Sequence, residues 1–195
     1  MAGYKALASV ERSVKALLER RLRAELGPNP PEVVLVGTAD LDKVNTAGSV
    51  ITFPAVSVFC YRLSVDRETR PLWSSVASVD GRPRLPLRMH LLVTAWDKFV
   101  ESELEMLGLV ARTLETDSIL AGPLLDASGE WGADETVEVV PEDMALESMS
   151  EAFQALTADF RLYLLYQARV VVIEGAAPVT EQRVATVELA GTVER

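Results

Sequence analysis

The chain has 195 residues, 49% of them hydrophobic and 25% charged, which is typical of one folded domain that needs no disulfide or metal to hold its core. Its single cysteine and single histidine exclude an internal disulfide and the zinc sites that need several such ligands, so we expect neither a metal nor a cofactor. The net charge of −10 is opposite in sign to the basic surface of a nucleic-acid-binding protein, so no nucleic-acid partner is expected.

The first half of the chain begins with an amphipathic helix. Apolar residues recur at helical spacing between residues 5 and 26, while Glu11 and Lys15 are left for water. Gly27 and the prolines after it end this helix. The pattern then predicts a strand at Val33–Val36, a loop over 37–48, an extended segment at Ser49–Val65 broken or bulged at Pro54, and a polar, irregular stretch at Asp66–Pro83 with a turn at Asp80–Gly81.

Apolar and polar residues alternate over Leu85–Thr94, which predicts a half-buried strand. His90 falls on the same face as Arg88, opposite the apolar residues, so we expect it on the wetter face of this strand. A second amphipathic helix follows Lys98. The residues assigned to its apolar face are Phe99, Met106, Leu107, Val110, Ala111 and Leu114.

The second half of the chain alternates short apolar segments with polar loops. The predicted elements are a short apolar segment at Ile119–Leu125, a loop over Asp126–Asp134, a strand at Val137–Val140, a short helical stretch opening at Pro141, a long strand at Phe160–Ile173 and a weaker strand at Val184–Val193. The long strand is apolar on both faces near Leu162–Leu165, which predicts a central position in a sheet.

This order of elements predicts an α+β fold, with a mostly antiparallel, mixed β-sheet and two main helices packed on it. We expect one domain over residues 1–195, in which residues 175–195 form a C-terminal strand or tail.

The charge is unevenly distributed along the chain. Residues 1–98 carry a net charge of +4 and residues 99–195 a net charge of −14. One interpretation is an ordinary solvated acidic face. The other is that a basic surface of one copy meets an acidic surface of the next, because a head-to-tail ring contact requires two different, complementary patches. The sequence leaves both interpretations open.

Cys60 and His90 are the side chains to consider first for catalysis. Cys60 lies in an apolar strand, where a free cysteine usually behaves as a small hydrophobic residue. A Cys60–His90 dyad is conceivable if the two strands are neighbours, although a reactive thiolate needs an electropositive, partly exposed site. No nucleotide-binding, serine-hydrolase or calcium-binding motif occurs in the chain. We therefore predict no catalytic residue and no enzymatic activity.

Other charged and aromatic residues have simple explanations. The carboxylate pairs at Glu101/Glu105, Asp134/Glu135 and Glu142/Asp143 fit ordinary solvation. The tryptophans Trp73, Trp96 and Trp131 lie in or beside predicted loops. Each of them either fills a gap over the core or anchors a partner, because tryptophan is enriched at interface hot spots.

We expect a cytoplasmic product with no membrane anchor. The N-terminus runs directly into a charged amphipathic pattern and lacks the apolar core of a secretion signal. No apolar stretch reaches the ~18 residues that a spanning helix needs. The densest one, Leu162–Ile173, is interrupted by Gln167 and Arg169. A larger assembly could still carry the chain out of the cell.

Several segments together resemble a known family. These are the N-terminal helix with Leu7–Val14, then Val56–Leu63, Arg84–Trp96, Ala111–Glu115, Ile119–Gly122, Glu151–Leu156 and Phe160–Ile173. In this order they resemble the cap, or tail-terminator, family of contractile injection systems, which are phage-tail-like particles. The resemblance covers most of residues 4–174 and is carried by apolar strands and their spacing, not by a catalytic signature.

The resemblance implies a structural protein without catalytic residues. Members of this family form a six-fold ring that closes the end of the inner tube and the outer sheath and stops their polymerisation. The implied partners are therefore other copies of the chain, as a homohexamer, and the tube and sheath proteins of a particle that can be released.

We hypothesise that the copies assemble head to tail and accept a sheath extension as an added strand at a sheet edge, with Val184–Val193 as the candidate edge. Two alternatives are a small adaptor or binding module of a larger complex and an enzyme that depends on Cys60 and His90.

Overall fold

The computed structural model describes residues 2–73, 82–144 and 161–175. The helices and strands of these ranges are α1 (Ala6–Leu26), β1 (Glu32–Leu35), α2 (Thr38–Leu41), β2 (Ala55–Val65), β3 (Arg84–Trp96), α3 (Val100–Thr116), β4 (Ile119–Ala121), β5 (Thr136–Pro141) and β6 (Tyr163–Glu174). Short 3-10 turns lie at Arg70–Trp73, Gly122–Leu124 and Ala127–Gly129.

The strands form one six-stranded sheet in the order β1-β2-β3-β6-β5-β4. β1 runs parallel to β2, and every other neighbouring pair in this order is antiparallel. The prediction of an α+β fold with a mostly antiparallel, mixed sheet is therefore confirmed. β6 lies between β3 and β5, so the central position predicted for this segment is confirmed as well.

The main core lies between one face of the sheet and the two long helices. The predicted helical stripe is confirmed, since Val10, Val14 and Leu18 of α1 are completely buried. They pack in one cluster with Val110 of α3 and Leu91 of β3. Each such side chain contributes roughly 1.5–3 kcal/mol through its removal from water, so this stripe fixes both helices on the sheet.

A second, smaller core covers the opposite face of the sheet. Leu92 and Trp96 of β3 are each only 4% exposed, so the prediction of a half-buried β3 is wrong. The cover comes from the segment between β1 and β2, which contributes Leu41 and Ile51 to this cluster. The alternation of apolar and polar residues along β3 predicts burial of one face only. It does not show that an irregular segment elsewhere in the chain covers the other face.

The segment between β1 and β2 departs from the prediction in two ways. It contains α2, where a loop over 37–48 was predicted, because the Asp40 carboxylate accepts the N–H of Gly37 at 2.8 Å and closes one helical turn. β2 begins at Ala55, not at Ser49, because the Ser49 hydroxyl is instead bonded to the backbone of Ile51.

The predicted helical stretch does not open at Pro141, and residues 145–160 after it lie outside the described residues. Pro141 is the last residue of β5 and is paired with Tyr166 of β6. A proline at the end of a strand removes no bond from the interior of the ladder, so tertiary pairing extends β5 through it. The turn at Asp80–Gly81 and the strand at Val184–Val193 lie outside the described residues, and a single domain over 1–195 stays a prediction.

Candidate functional site

Cys60 and His90 lie on neighbouring strands but on opposite faces of the sheet. Cys60 packs against the main core, whereas His90 bonds to polar groups on the other face. Burial, reinforced by the negative charge of Glu11, raises the pKa of the Cys60 thiol to about 11. The thiol is therefore protonated at neutral pH, and the His90 imidazole lies on the other side of the sheet from it. The Cys60–His90 dyad is excluded.

His90 is buried within a polar network. Its ring lies on the polar face of β3, as the alternation predicts, but the side chain is only 1% exposed, so the expectation of a wet environment is wrong. Nδ1 lies 2.8 Å from the Glu142 carboxylate, and Nε2 lies 2.8 Å from Ser64 Oγ and 3.2 Å from Nη2 of Arg62. A carboxylate can only accept, so Nδ1–H donates to Glu142. Nη2 of Arg62 also lies 3.5 Å from Nδ1.

The hydrogen bonds that link Ser64, His90 and Glu142 resemble those of a catalytic triad, in which a base lies between a nucleophile and an orienting carboxylate. The nucleophile elbow of hydrolases, however, exposes its serine at a sharp turn after a strand. Ser64 lies inside β2, in register with Arg88 of β3. We therefore interpret the network as a structural link that ties the end of β5 to the β2–β3 pair.

A polar cavity of about 630 Å³ opens over this network. Its shape depends on the turn after β2, where the buried Asp66 carboxylate accepts Thr69 Oγ1 at 2.8 Å and Arg88 Nη2 at 2.6 Å. Burial by itself would raise the pKa of Asp66, but the bonds from Thr69, the Glu68 N–H and Arg88 hold it below its usual value. The turn therefore carries a fixed negative charge that holds Arg88.

The end of β2 and the turn after it carry exposed apolar and basic side chains along a sheet edge. Within the strand, Leu63 and Val65 point to one face of the sheet and Arg62 to the other. We call this surface the basic edge; it consists of Arg62, Leu63, Val65, Arg67 and Leu72. Leu63, Val65 and Leu72 are 50%, 43% and 71% exposed, and both arginines are exposed. β1 pairs only with Ala55–Val58, so within the described ranges no strand covers the outer side of β2 beyond Val58.

The start of α3 forms a second exposed surface of opposite charge. We call it the acidic strip; it consists of Phe99, Val100, Glu101, Leu104 and Glu105. Phe99, Val100 and Leu104 are 71%, 62% and 56% exposed. Phe99 was predicted to face the core, but it precedes the first helical turn and points outward, so that prediction is wrong. One turn beyond Leu104, a Cβ atom added at Gly108 would meet nothing within 4 Å.

Buried and charged groups around Asp97 fix where α3 begins. Its carboxylate accepts Ser102 Oγ and the Lys98 N–H, both at 2.5 Å, and these bonds lower the pKa of Asp97. Glu103 is 6% exposed, accepts the Asp97 N–H at 3.2 Å and is paired with Arg161 at 3.3 Å. The acidic strip is therefore presented on a rigid helix start.

The basic edge and the acidic strip lie at opposite ends of the β2–β3 pair. The register places Ala55 beside Trp96 at one end and Val65 beside Leu87 at the other. α3 starts four residues after Trp96, so the acidic strip belongs to the first end and the basic edge to the second. Ten residues of extended strand separate the two ends by roughly 30 Å.

β1 has an open outer edge of its own. The N–H groups of Glu32 and Val36 donate toward β2, to the carbonyls of Pro54 and Val58. Because backbone groups alternate along a strand, those of Val33 and Leu35 point the other way. Among the described strands none pairs with this side, and a groove of about 500 Å³ separates it from α1.

Two of the three tryptophans fill gaps over the core, as one interpretation predicts. Trp96 is 4% exposed and donates to Ser57 Oγ at 2.8 Å. Trp131 packs against the main core and donates to Ser9 Oγ at 2.9 Å and to the Asp126 carbonyl at 3.0 Å. Trp73 is partly exposed at the end of a 3-10 turn, so both interpretations stay open for it.

Within the described ranges, no group of three or more His, Cys, Asp or Glu side chains is placed to hold a metal ion. No helix in those ranges combines the length and the apolar character needed to cross a membrane.

The family model of the Pvc16 N-terminal domain matches residues 9–186. The fold is similar to the PVC sheath/tube terminator of an extracellular contractile injection system in its extended state, with a TM-score of 0.59 and 20% identity over 96% of this chain and 65% of that chain. It is also similar to the tube terminating cap of the anti-feeding prophage, with a TM-score of 0.54 and 19% identity over 92% of this chain and 60% of that chain.

This chain therefore spans less than two thirds of the length of these two structures. At such identities the likeness shows the fold alone. No curated protein matches the chain in sequence.

Proposed function

The chain belongs to the Pvc16 N-terminal domain family, and we propose that it is a structural cap that closes the end of the tube and sheath of a contractile injection system. The observation that carries this proposal is the likeness of the fold to a sheath/tube terminator over 96% of the chain. A second likeness, to a tube terminating cap, supports the same role.

We propose further that copies of the chain form a closed, hexameric ring on the last layer of tube and sheath. A bound ring removes the surface on which the next layer would assemble, so polymerisation stops there. Two surfaces of opposite charge at opposite ends of the sheet support this arrangement, because a ring needs two different complementary patches on each copy. Assembly takes place in the cytoplasm, and the finished particle can then be released.

The proposed role is non-enzymatic. The Cys60 thiol is protonated and separated from His90 by the sheet, and Ser64 lies within a paired strand. The buried polar groups of this region are thus used to hold strands together.

Strand addition is the proposed mode of docking to the sheath. The open edge of β1 offers the backbone groups of Val33 and Leu35 for pairing with an extended segment. The hypothesis that Val184–Val193 provides such an edge stays a prediction, because this segment lies outside the described residues.

The test is the length distribution of assembled particles. Tube and sheath proteins are assembled with and without the chain, and lengths are measured by negative-stain electron microscopy. The proposal predicts particles of limited length with the chain and longer, heterogeneous particles without it. Unchanged lengths, together with a one-to-one complex with another protein, would favour the adaptor alternative.

A further inference from the structure

The two ends of the β2–β3 pair carry exposed charges of opposite sign beside exposed apolar side chains. We propose that the acidic strip of one copy packs against the basic edge of a second copy, head to tail. This inference rests on the proposed function, since it names the contact from which the ring is built.

The charges at both surfaces are free to act between copies. In the described part of the molecule, Glu101 and Glu105 form no ion pair, and neither do Arg62 and Arg67. Arg88 of β3, by contrast, is already paired with Asp66 and Glu68 of the turn after β2. Complementary charges at the border of a contact select the partner surface and its register. The two acids of one copy therefore fit the two arginines of the next, which form no ion pair within their own copy, although Arg62 also contacts the His90 ring.

The apolar residues of the two surfaces supply the centre of the contact. Phe99 and Leu104 of the acidic strip are 71% and 56% exposed, and Leu63 and Leu72 of the basic edge are 50% and 71% exposed. Aromatic and aliphatic side chains surrounded by charged ones are the usual composition of a protein interface. The open space at Gly108 lets a neighbouring chain approach the helix closely.

The placement of the surfaces favours a ring over a two-fold dimer. Each two-fold contact uses the same patch on both copies, whereas a head-to-tail contact joins two different patches. The strip and the edge lie at opposite ends of a strand pair, so one copy cannot satisfy its own surfaces. Every copy therefore has one surface of each kind to offer, and the contact closes only when the last copy meets the first.

The test is charge reversal followed by its compensation. The variants are Arg62→Glu with Arg67→Glu, Glu101→Arg with Glu105→Arg, and a chain with all four substitutions. Native mass spectrometry of the full chain at fixed concentration measures the oligomer. We expect each pair of reversals to weaken assembly by at least about tenfold, and the four substitutions together to restore it, because the attraction is reinstated with opposite polarity.

Two controls separate the contact from folding and from net charge. Arg67→Glu alone leaves the contact of Arg62 with His90 intact, and it is expected to weaken assembly in the same direction. Arg20→Glu with Arg23→Glu makes the same change in net charge at two exposed positions of α1 outside both surfaces. This control is expected to assemble as the unmodified chain does. Circular dichroism confirms that each variant is folded.

Folded reversal variants that assemble normally, a four-substitution chain that fails to recover, or an unmodified chain that stays monomeric even on tube ends would overturn the proposed contact. The particle-length assay separates this from failure of the cap role. If the folded reversal variants assemble normally and still limit particle length, the contact is wrong and the cap role stands. If assembly follows the charges but length is never limited, the contact stands and the cap role is wrong.

Discussion

Replacing His90 by alanine is expected to destabilise the fold strongly. The change removes the Nδ1–H bond to the Glu142 carboxylate at 2.8 Å and the bond of Nε2 with Ser64 Oγ at 2.8 Å. It also removes the contact with Arg62, whose exposed guanidinium is then hydrated by water. A hydrogen bond to a charged group contributes about 1.5–3 kcal/mol and a neutral one about 1 kcal/mol. The carboxylate keeps the Tyr61 hydroxyl at 3.2 Å as a donor, so we expect a total loss of about 3 kcal/mol.

Urea unfolding followed by circular dichroism measures this loss. Ser64→Ala is the matched control, because it removes one neutral bond of the same network and is expected to cost about 1 kcal/mol. With a urea slope of about 2–3 kcal/mol/M, the His90→Ala midpoint should fall by about 1 M or more. A midpoint within about 0.2 M of the unmodified chain would refute the interpretation of this network as a structural link.

Three further predictions concern other parts of the molecule. The lowered pKa of Asp66 contributes stability that is fully present above its unfolded pKa of about 3.9 and is lost as the pH falls through the folded value. Asp66→Asn should therefore reduce the dependence of the free energy of unfolding on pH in the acid range. An unchanged dependence would contradict this. Gly129→Ala should destabilise the fold by about 1–3 kcal/mol in thermal unfolding, because the new methyl group would clash with Trp131. Gly108→Ala should stabilise it by about 0.5–1 kcal/mol, because this helical position has open space around it. The opposite order of stabilities would contradict the packing argument. Cys60 should react slowly with iodoacetamide at pH 7.5 until the chain is unfolded, because its thiol is half-buried and its pKa is raised to about 11. Fast alkylation of the folded chain would contradict this.

The long, periodic elements could be predicted from the sequence because local pattern and tertiary packing agree there. α1 and β6 are of this kind: a helical stripe that packs on a sheet, and a segment apolar on both faces that lies inside it. The second core could not be predicted, because its cover is an irregular segment whose Leu41 and Ile51 follow no period. Local propensity favours a helix start at Pro141, but pairing with Tyr166, which is distant in sequence, extends β5 through it.

The candidate surfaces were only partly predictable. Charge counts along the chain were compatible with two surfaces of opposite sign or with one solvated acidic face, and the counts do not place Arg67 and Glu101 at opposite ends of one strand pair. Val100 and Leu104 were missed, although they are four residues apart and form a second apolar stripe beside the buried one that contains Val110. Such a stripe is a readable signal. His90 could not be identified as buried, because Glu142 comes from a distant part of the chain.

Cryo-electron microscopy of the particle end tests the central claim most directly. Particles assembled with the full chain are expected to show a six-fold collar on the last tube and sheath layer, into which this fold fits with the start of α3 against the end of β2 of its neighbour. A particle end without density for the chain, at a resolution that resolves the tube subunits, would contradict the account.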